Sequence, residues 1–204
     1  MIDKKIILNN IPDKSENKNT TSLKFKEDLI DFLGDRFMEK TILEIGTYIG
    51  HTTRLLSFLF KKVITVDKNH DFLCDARELN IDRNNIEFME GDIYDFMVFD
   101  EFRDKVDVIF IDAIHEYRCV LSDTINSIAE FAGSKDIYLI YDDYGLIPEV
   151  KKAVDDCLTV GFIEFVGHIG HEKGIDIKLD NREDNKNRIL LDREGIICRY
   201  RSKK

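Results

Sequence analysis

Short apolar runs alternate with longer amphipathic stretches through most of this 204-residue chain. Five runs have the length and β-branched content of buried strands, and apolar residues recur at helical spacing between them. The strands are predicted at Thr41–Ile45, Val63–Val66, Ile86–Met89, Val106–Ile111 and Ile137–Tyr141, and the helices at Thr52–Phe60, His70–Leu79, Tyr94–Phe102, Tyr117–Ala132 and Pro148–Leu158. This alternation is typical of a parallel sheet covered by helices on both faces.

The two ends of the chain depart from this pattern. Residues 1–21, polar from about Ile11, are predicted to form a flexible arm, and a first helix begins after Ser22, a suitable cap. After Gly161 three further strands are predicted, at Phe162–Val166, Arg188–Leu191 and Ile196–Tyr200, the last two joined by the turn Asp192–Gly195. Residues 22–204 are therefore predicted to form one α/β, Rossmann-like, doubly wound domain. Its mostly parallel sheet has about seven strands and an antiparallel C-terminal edge.

Composition narrows the classes of function. A net charge of -10 repels polyanions, so nucleic acid is not expected as a partner. The four cysteines lack a Cys-x-x-Cys pair, which fits reduced thiols rather than zinc or a disulfide framework. No segment has the pattern of a signal peptide or a membrane span, so a soluble cytoplasmic protein is expected. Exposed edge strands near the carboxyl terminus can pair between subunits, so a homo-oligomer remains an alternative to a monomer.

Glycines follow the first predicted strand, where open α/β sheets bind ligands. In the segment from Glu44 to Thr52, Gly46 permits a tight turn and Gly50 lets the backbone approach a ligand closely. Asp67 ends the second strand and is positioned to accept the hydroxyls of a ribose. The dinucleotide fingerprint Gly-x-Gly-x-x-Gly is absent, which disfavours a nicotinamide or flavin enzyme. The pattern predicts a nucleotide-type site.

This segment resembles the first motif of class I S-adenosylmethionine-dependent methyltransferases. The resemblance to that family as a whole spans roughly residues 40 to 160. The resemblance implies that the protein transfers the methyl group of S-adenosylmethionine. It also implies which residues hold each part of the cofactor: Glu44 and the loop Gly46, Thr47, Tyr48 and Gly50 the methionine, Asp67 the ribose, and Asp92 with Ile93 the adenine. Thr52, Lys68 and Asp112 complete the expected cofactor-binding set. Asp92 has an alternative interpretation as the cap of the helix predicted from Tyr94.

Carboxylates also follow the fourth and fifth strands. Asp112 ends one strand, and Asp142 and Asp143 end the next. Because neighbouring strands lie about 5 Å apart, the three carboxylates are predicted to share Mg²⁺ or another divalent cation. His115 is a candidate general base, since its ordinary pKa is near 6.5. The alternatives are a structural role for His115 and a helix-capping role for the two adjacent aspartates.

Asp112-x-x-His115-x-Tyr117 and Asp142-Asp143-Tyr144 resemble a bacterial group of metal-dependent O-methyltransferases that act on sugars and natural products. Catechol-type relatives of that group have lysine where this chain has His115. The resemblance implies O-methylation of a small hydroxylated molecule, with His115 and Asp112 as catalytic residues. A sensor that binds S-adenosylmethionine without transferring its methyl group, and a nicotinamide-dependent oxidoreductase, remain the alternatives.

Overall fold

The computed structural model describes residues 3–11, 21–92, 102, 104–133, 135–175 and 189–202. Helices and strands alternate through the middle of the chain. The strands are β1 (Thr41–Ile45), β2 (Lys62–Asp67), β3 (Ile86–Glu90), β4 (Val108–Ile111), β5 (Ile137–Tyr141), β6 (Glu164–Ile169) and β7 (Gly195–Tyr200). The helices are α1 (Lys4–Asn9), α2 (Leu23–Leu33), α3 (His51–Ser57), α4 (His70–Leu79), α5 (Tyr117–Phe131) and α6 (Pro148–Thr159), and a 3-10 turn covers Gly34–Phe37.

Within the described residues these strands form one seven-stranded sheet in the order β3-β2-β1-β4-β5-β7-β6. β1 to β5 are parallel to one another, whereas β7 is antiparallel to both β5 and β6. The predicted α/β class, with a mostly parallel sheet and an antiparallel C-terminal edge, is confirmed. The strand order reverses between β1 and β4, and in open sheets a ligand crevice forms at such a point.

The central strands are buried on both faces of the sheet. Leu43 and Ile45 pack in one apolar cluster with side chains of α5 and α6, while Ile42 packs in the other with side chains of α2 and α3. Successive strand residues point to opposite faces, so a run such as Val108–Ile111 has to be apolar throughout. This requirement explains why the inner strands can be predicted from the sequence.

A serine cap begins α2, as the sequence predicts. Ser22 Oγ accepts the backbone N–H of Phe25 at 3.0 Å and donates to Oε2 of Glu194 at 2.7 Å. Glu194 is buried, and it also accepts the backbone N–H groups of Ser22 and His171, each at 3.0 Å. The carboxylate therefore ties the start of α2 to the loop before β7.

The flexible arm expected over residues 1–21 is packed where it is described. α1 lies against α2, and Ile7 and Ile11 are buried in the same apolar cluster as α2. Arg54 Nε donates to the carbonyl of Asn10 at 2.7 Å. The apolar positions supply a buried face, which is why this segment differs from a solvated arm. Residues 12–20 lie outside the described residues.

The antiparallel edge is built differently from the predicted hairpin. β7 pairs with β6 and β5, while Leu190 exchanges backbone hydrogen bonds with Gly174 and Ile175, at 2.9 and 3.1 Å. The predicted pairing of Arg188–Leu191 with Ile196–Tyr200 is therefore wrong among these residues, and Arg188 itself lies outside the described part. The helix predicted at Tyr94–Phe102 also falls outside it, except for Phe102.

None of the helices in the described residues combines the length and the apolar character that a bilayer crossing requires.

Candidate cofactor and metal site

A cavity of about 380 Å³ opens at the carboxyl ends of the central strands, beside the point where the strand order reverses. Pockets of this size accommodate small molecules and cofactors. Most of the residues predicted for the site line it, namely Gly46, Thr47, Tyr48, Gly50, Thr52, Asp67, Lys68, Asp92, Asp112 and His115. Ile93 lies outside the described residues.

Two glycines shape the loop between β1 and α3. Gly46 has φ +98°, and a Cβ on it would stand 2.1 Å from the carbonyl oxygen of Asp112, so the loop lies directly on the end of β4. Gly50 has φ +82°, and its Cβ would stand 2.8 Å from that of Ala76 on α4. Both positions demand glycine for conformation and for space. The loop backbone is thereby drawn against the walls of the cavity.

Asp67 holds this loop from the end of β2. Its Oδ2 accepts the backbone N–H groups of Thr47 and Tyr48, at 3.1 and 2.9 Å. Its Oδ1 accepts the N–H of Asn69 at 2.9 Å. A carboxylate has about four acceptor positions, so Asp67 can also accept hydroxyls of a ligand. The loop is fixed before any ligand binds.

Glu44 lies beneath the loop and is fully buried. Its Oε2 accepts the hydroxyls of Thr53 and Thr65, at 2.5 and 2.6 Å, and Oε1 has no hydrogen-bond partner among the described residues. Burial raises the pKa of Glu44 to about 8, although both hydroxyl hydrogen bonds lower it. Glu44 does not line the cavity. Through Thr53 and Thr65 it joins β1 to α3 and to β2.

Asp112 and His115, which line the cavity, come together with Asp143, which does not line it. His115 Nε2 lies 3.3 Å from Oδ1 of Asp112 and 3.4 Å from Oδ2 of Asp143. One ligand atom from each of the three lies within 4.8 Å of the others, which is a spacing that can hold a metal ion. The sequence predicted two of these three residues as metal ligands.

Asp142, the third predicted metal ligand, is not part of this group among the described residues. It lies between the end of β5 and Asp143, and it is 7% exposed. Burial raises the pKa of Asp142 well above its ordinary range, and the charges of Asp112 and Asp143 raise it further. Which aspartate of the pair faces the site is set by backbone conformation.

That conformation is a left-handed turn at Asp143, with φ +55°. Its carbonyl accepts the backbone N–H groups of Leu146 and Ile147, at 3.1 and 2.9 Å. Tyr144, the next residue, donates its hydroxyl to Asp155 at 2.7 Å and accepts Lys151 Nζ at 2.7 Å. The turn is thereby anchored to α6, which directs the Asp143 carboxylate toward His115.

Sequence reasoning missed several residues of the cavity wall, among them Phe72 on α4 and Cys119 and Asp123 on α5. Phe72 packs edge-on against Tyr48, with ring centroids 4.8 Å apart. Asp123 is 4% exposed although it is an acid within an amphipathic helix. Helical spacing counted from Tyr117 was the sequence signal that could have placed Asp123 on the cavity wall. An acidic residue on a helix is ordinarily exposed to solvent, however, so the sequence does not favour that position. Its place on the wall follows from the packing of α5.

Comparison with known proteins identifies relatives of the same fold. A protein from Acanthamoeba polyphaga mimivirus, itself uncharacterized, is 27% identical over 57% of this chain, which spans 60% of that relative's length. The structure of an O-methyltransferase from Bacillus cereus in complex with SAH has a TM-score of 0.63 at 15% identity. It covers 98% of this chain and 90% of its own. These similarities show a shared fold.

The expectation that nucleic acid is excluded as a partner is wrong. The fibrillarin pre-rRNA processing protein of Methanococcus jannaschii has the same fold, with a TM-score of 0.59 at 16% identity, over 83% of this chain and 70% of its own. A net charge of -10 sums over all residues and does not describe the surface around one cavity, so it cannot exclude a class of substrate.

A family model described as a methyltransferase domain matches residues 43–144, which is half of the chain. The matched segment begins in β1 and ends at Tyr144, so it includes the glycine loop, Asp67 and all three residues of the Asp112, His115 and Asp143 group. The chain belongs to this methyltransferase family.

Proposed function

We propose that this protein is an S-adenosylmethionine-dependent O-methyltransferase that holds a divalent cation and acts on a small hydroxylated molecule. The observation that carries the proposal is the meeting of Asp112, His115 and Asp143 within 4.8 Å, with Asp112 and His115 in the cavity wall. A nucleotide-type cavity with candidate metal ligands in and beside its wall suits transfer to an oxygen nucleophile.

The lining residues and the size of the cavity support the assignment of S-adenosylmethionine as the cofactor. Gly46 and Gly50 let the backbone approach the ligand, and Asp67 retains acceptor capacity for ribose hydroxyls. Asp92 lines the far wall and is assigned to the adenine, with Lys68 beside the ribose and Thr52 at the start of α3. The bound cofactor would supply an electrophilic methyl group. The chain itself would align that group with the acceptor oxygen.

The cation is assigned to Asp112, His115 and Asp143. Carboxylates suit Mg²⁺, Ca²⁺ and Mn²⁺, whereas imidazole favours transition metals, so the mixed set favours Mn²⁺ over Mg²⁺. Without an ion, two carboxylates this close repel each other. When bound, the cation would supply positive charge that favours loss of the acceptor's hydroxyl proton.

His115 presents the same nitrogen, Nε2, to both aspartates. One nitrogen cannot bind a cation and accept a proton at the same time. We assign it to the cation, in the position that is predicted for Asp142 from the sequence. The role of general base remains the alternative for His115, and cation binding by a variant separates the two.

The first test is the binding of Mn²⁺, which electron paramagnetic resonance measures. Asp112→Asn, Asp143→Asn and His115→Ala should each weaken binding more than about tenfold, because each removes a ligand. Asp142→Asn is the matched control, with the same change one residue away, and should bind as the wild type does. Equal loss in Asp142→Asn would restore the three-carboxylate set. Normal binding by His115→Ala would return that residue to the role of base.

The second test is calorimetry with S-adenosylhomocysteine, followed by transfer of labelled methyl groups to polyhydroxylated small molecules and to RNA. We expect cofactor binding in the wild type and in Asp143→Asn, with transfer to a small molecule in the wild type alone. Transfer to RNA alone would refute the substrate class. Saturable binding without transfer to any acceptor would favour the sensor, and no binding would refute the proposal.

A further inference from the structure

Cys74, His70 and Glu90 form a line of polar contacts outside the cavity. His70 Nδ1 lies 2.7 Å from Oε2 of Glu90, and its Nε2 lies 3.5 Å from Sγ of Cys74. His70 and Cys74 are four residues apart on α4 and share one face of that helix, while Glu90 ends the neighbouring strand β3. All three side chains are exposed.

This order of groups is that of an activated thiol. The carboxylate fixes the imidazole so that its other nitrogen faces the sulfur, and the imidazole can take the thiol proton or stabilise the thiolate. The hydrogen bond to Glu90 and its charge raise the pKa of His70. The imidazole beside Sγ therefore keeps its positive charge to higher pH than a free imidazole does.

The other three cysteines lack this setting. Cys157 and Cys198 are buried, and burial raises the pKa of both thiols, that of Cys198 to about 12. Cys119 is half-buried, and burial together with the charge of Glu116 raises its pKa. Cys74 is thus the exposed thiol of the chain, and the other three serve as internal references.

We propose that Cys74 is a nucleophilic thiol that exchanges with low-molecular-weight disulfides, with His70 stabilising its thiolate and Glu90 holding the imidazole. In the exchange, Sγ forms a bond to one sulfur of the disulfide and the bond between the two disulfide sulfurs breaks. The departing thiolate takes up a proton, and the Cys74 proton passes to His70 or to water. The low-molecular-weight disulfide is the oxidant: Cys74 is oxidised to a mixed disulfide, and the departing half of the disulfide is reduced to a thiol.

The exchange does not depend on the proposed methyl transfer. Phe72 lines the cavity and lies about 200° around α4 from His70, so the thiol faces away from the cavity. Cys74→Ser is therefore expected to bind S-adenosylhomocysteine as the wild type does, and failure of either proposal leaves the other intact.

The test is the rate of mixed-disulfide formation with oxidised glutathione, read for each cysteine by peptide mass spectrometry on the full chain. Cys74 should react faster than Cys119, and His70→Ala should slow Cys74 by about threefold or more. Glu90→Gln should slow it less. Glu87→Gln is the matched control, because it removes another carboxylate of β3, one that forms an ion pair with Lys62. It should leave the rate unchanged.

Unaltered reactivity of Cys119 in each variant shows that the fold is intact. A Cys74 rate that equals that of Cys119, or that survives His70→Ala unchanged, would overturn the proposal. The second result would mean that exposure alone governs the reactivity of this thiol.

Discussion

Gly46→Ala should separate the loop after β1 from the end of β4. The new Cβ would stand 2.1 Å from the carbonyl oxygen of Asp112 and 2.7 Å from its carbonyl carbon, and both are backbone atoms that cannot rotate away. A residue with a side chain at φ +98° also costs about 1–2 kcal/mol. Strain and displacement together should lower the free energy of unfolding by roughly 2–4 kcal/mol.

Gly161→Ala is the matched control, because Gly161 has φ +68° but no atom within 4 Å of the added Cβ. It should cost only the conformational part, about 1–2 kcal/mol. In a chain of this size, 1 kcal/mol lowers the melting temperature by about 2–4 °C. Thermal unfolding should therefore rank Gly46→Ala below Gly161→Ala, and the latter below the wild type.

Calorimetry with S-adenosylhomocysteine completes this test. Gly46→Ala should weaken binding by about tenfold or more, since the loop that faces the ligand is displaced, whereas Gly161→Ala should bind normally. Equal melting temperatures for the two variants, together with unchanged affinity, would refute the close approach of the loop to β4.

Three further predictions concern stability and are measured by urea unfolding. Because the pKa of Glu44 is raised from 4.5 to about 8, the folded state keeps a proton that the unfolded chain releases between these values, so stability should fall as pH rises through this range. Glu44→Gln should remove this fall, which is at most about 1.4 kcal/mol per pH unit; an identical pH slope in the variant would contradict it. Ser22→Ala should cost about 1–2 kcal/mol, because it removes the cap on Phe25, and a loss below a few tenths would argue against the cap. Arg54→Ala should cost about 1–3 kcal/mol, because Arg54 Nη1 and Nη2 bind Asp82 at 2.7 and 3.0 Å and Nε binds a backbone carbonyl; protease cleavage near α1 should increase, and unchanged protection would refute that anchor.

The inner strands could be predicted because burial on both faces leaves only one kind of sequence. The run from Val108 to Ile111 has no polar position. A strand can therefore be predicted there without knowing its register or which face of the sheet each side chain joins. β6 lies at the edge of the sheet, and its exposed residues show no such constraint. Apolar Phe162 and Ile163 therefore drew the predicted strand two residues too early. Ile163 is buried in the core as the chain leaves α6.

The candidate site was predictable in its location and less so in its membership. Strand order brings Asp112 and the Asp142-Asp143 pair to the same edge of the sheet, because β4 and β5 are neighbours. Choosing between the paired aspartates requires the left-handed turn at Asp143. That turn depends on Tyr144 and on α6, which follow later in the chain, and local sequence cannot express it.

The position of β7 has a consequence for folding during synthesis. β7 is the last strand in chain order, yet it lies between β5 and β6 in the sheet. A nascent chain that ends before Gly195 leaves β5 as an open edge and β6 without any partner strand. The sheet therefore closes only after β7 has emerged from the ribosome, and until then two unpaired edges can bind to other chains.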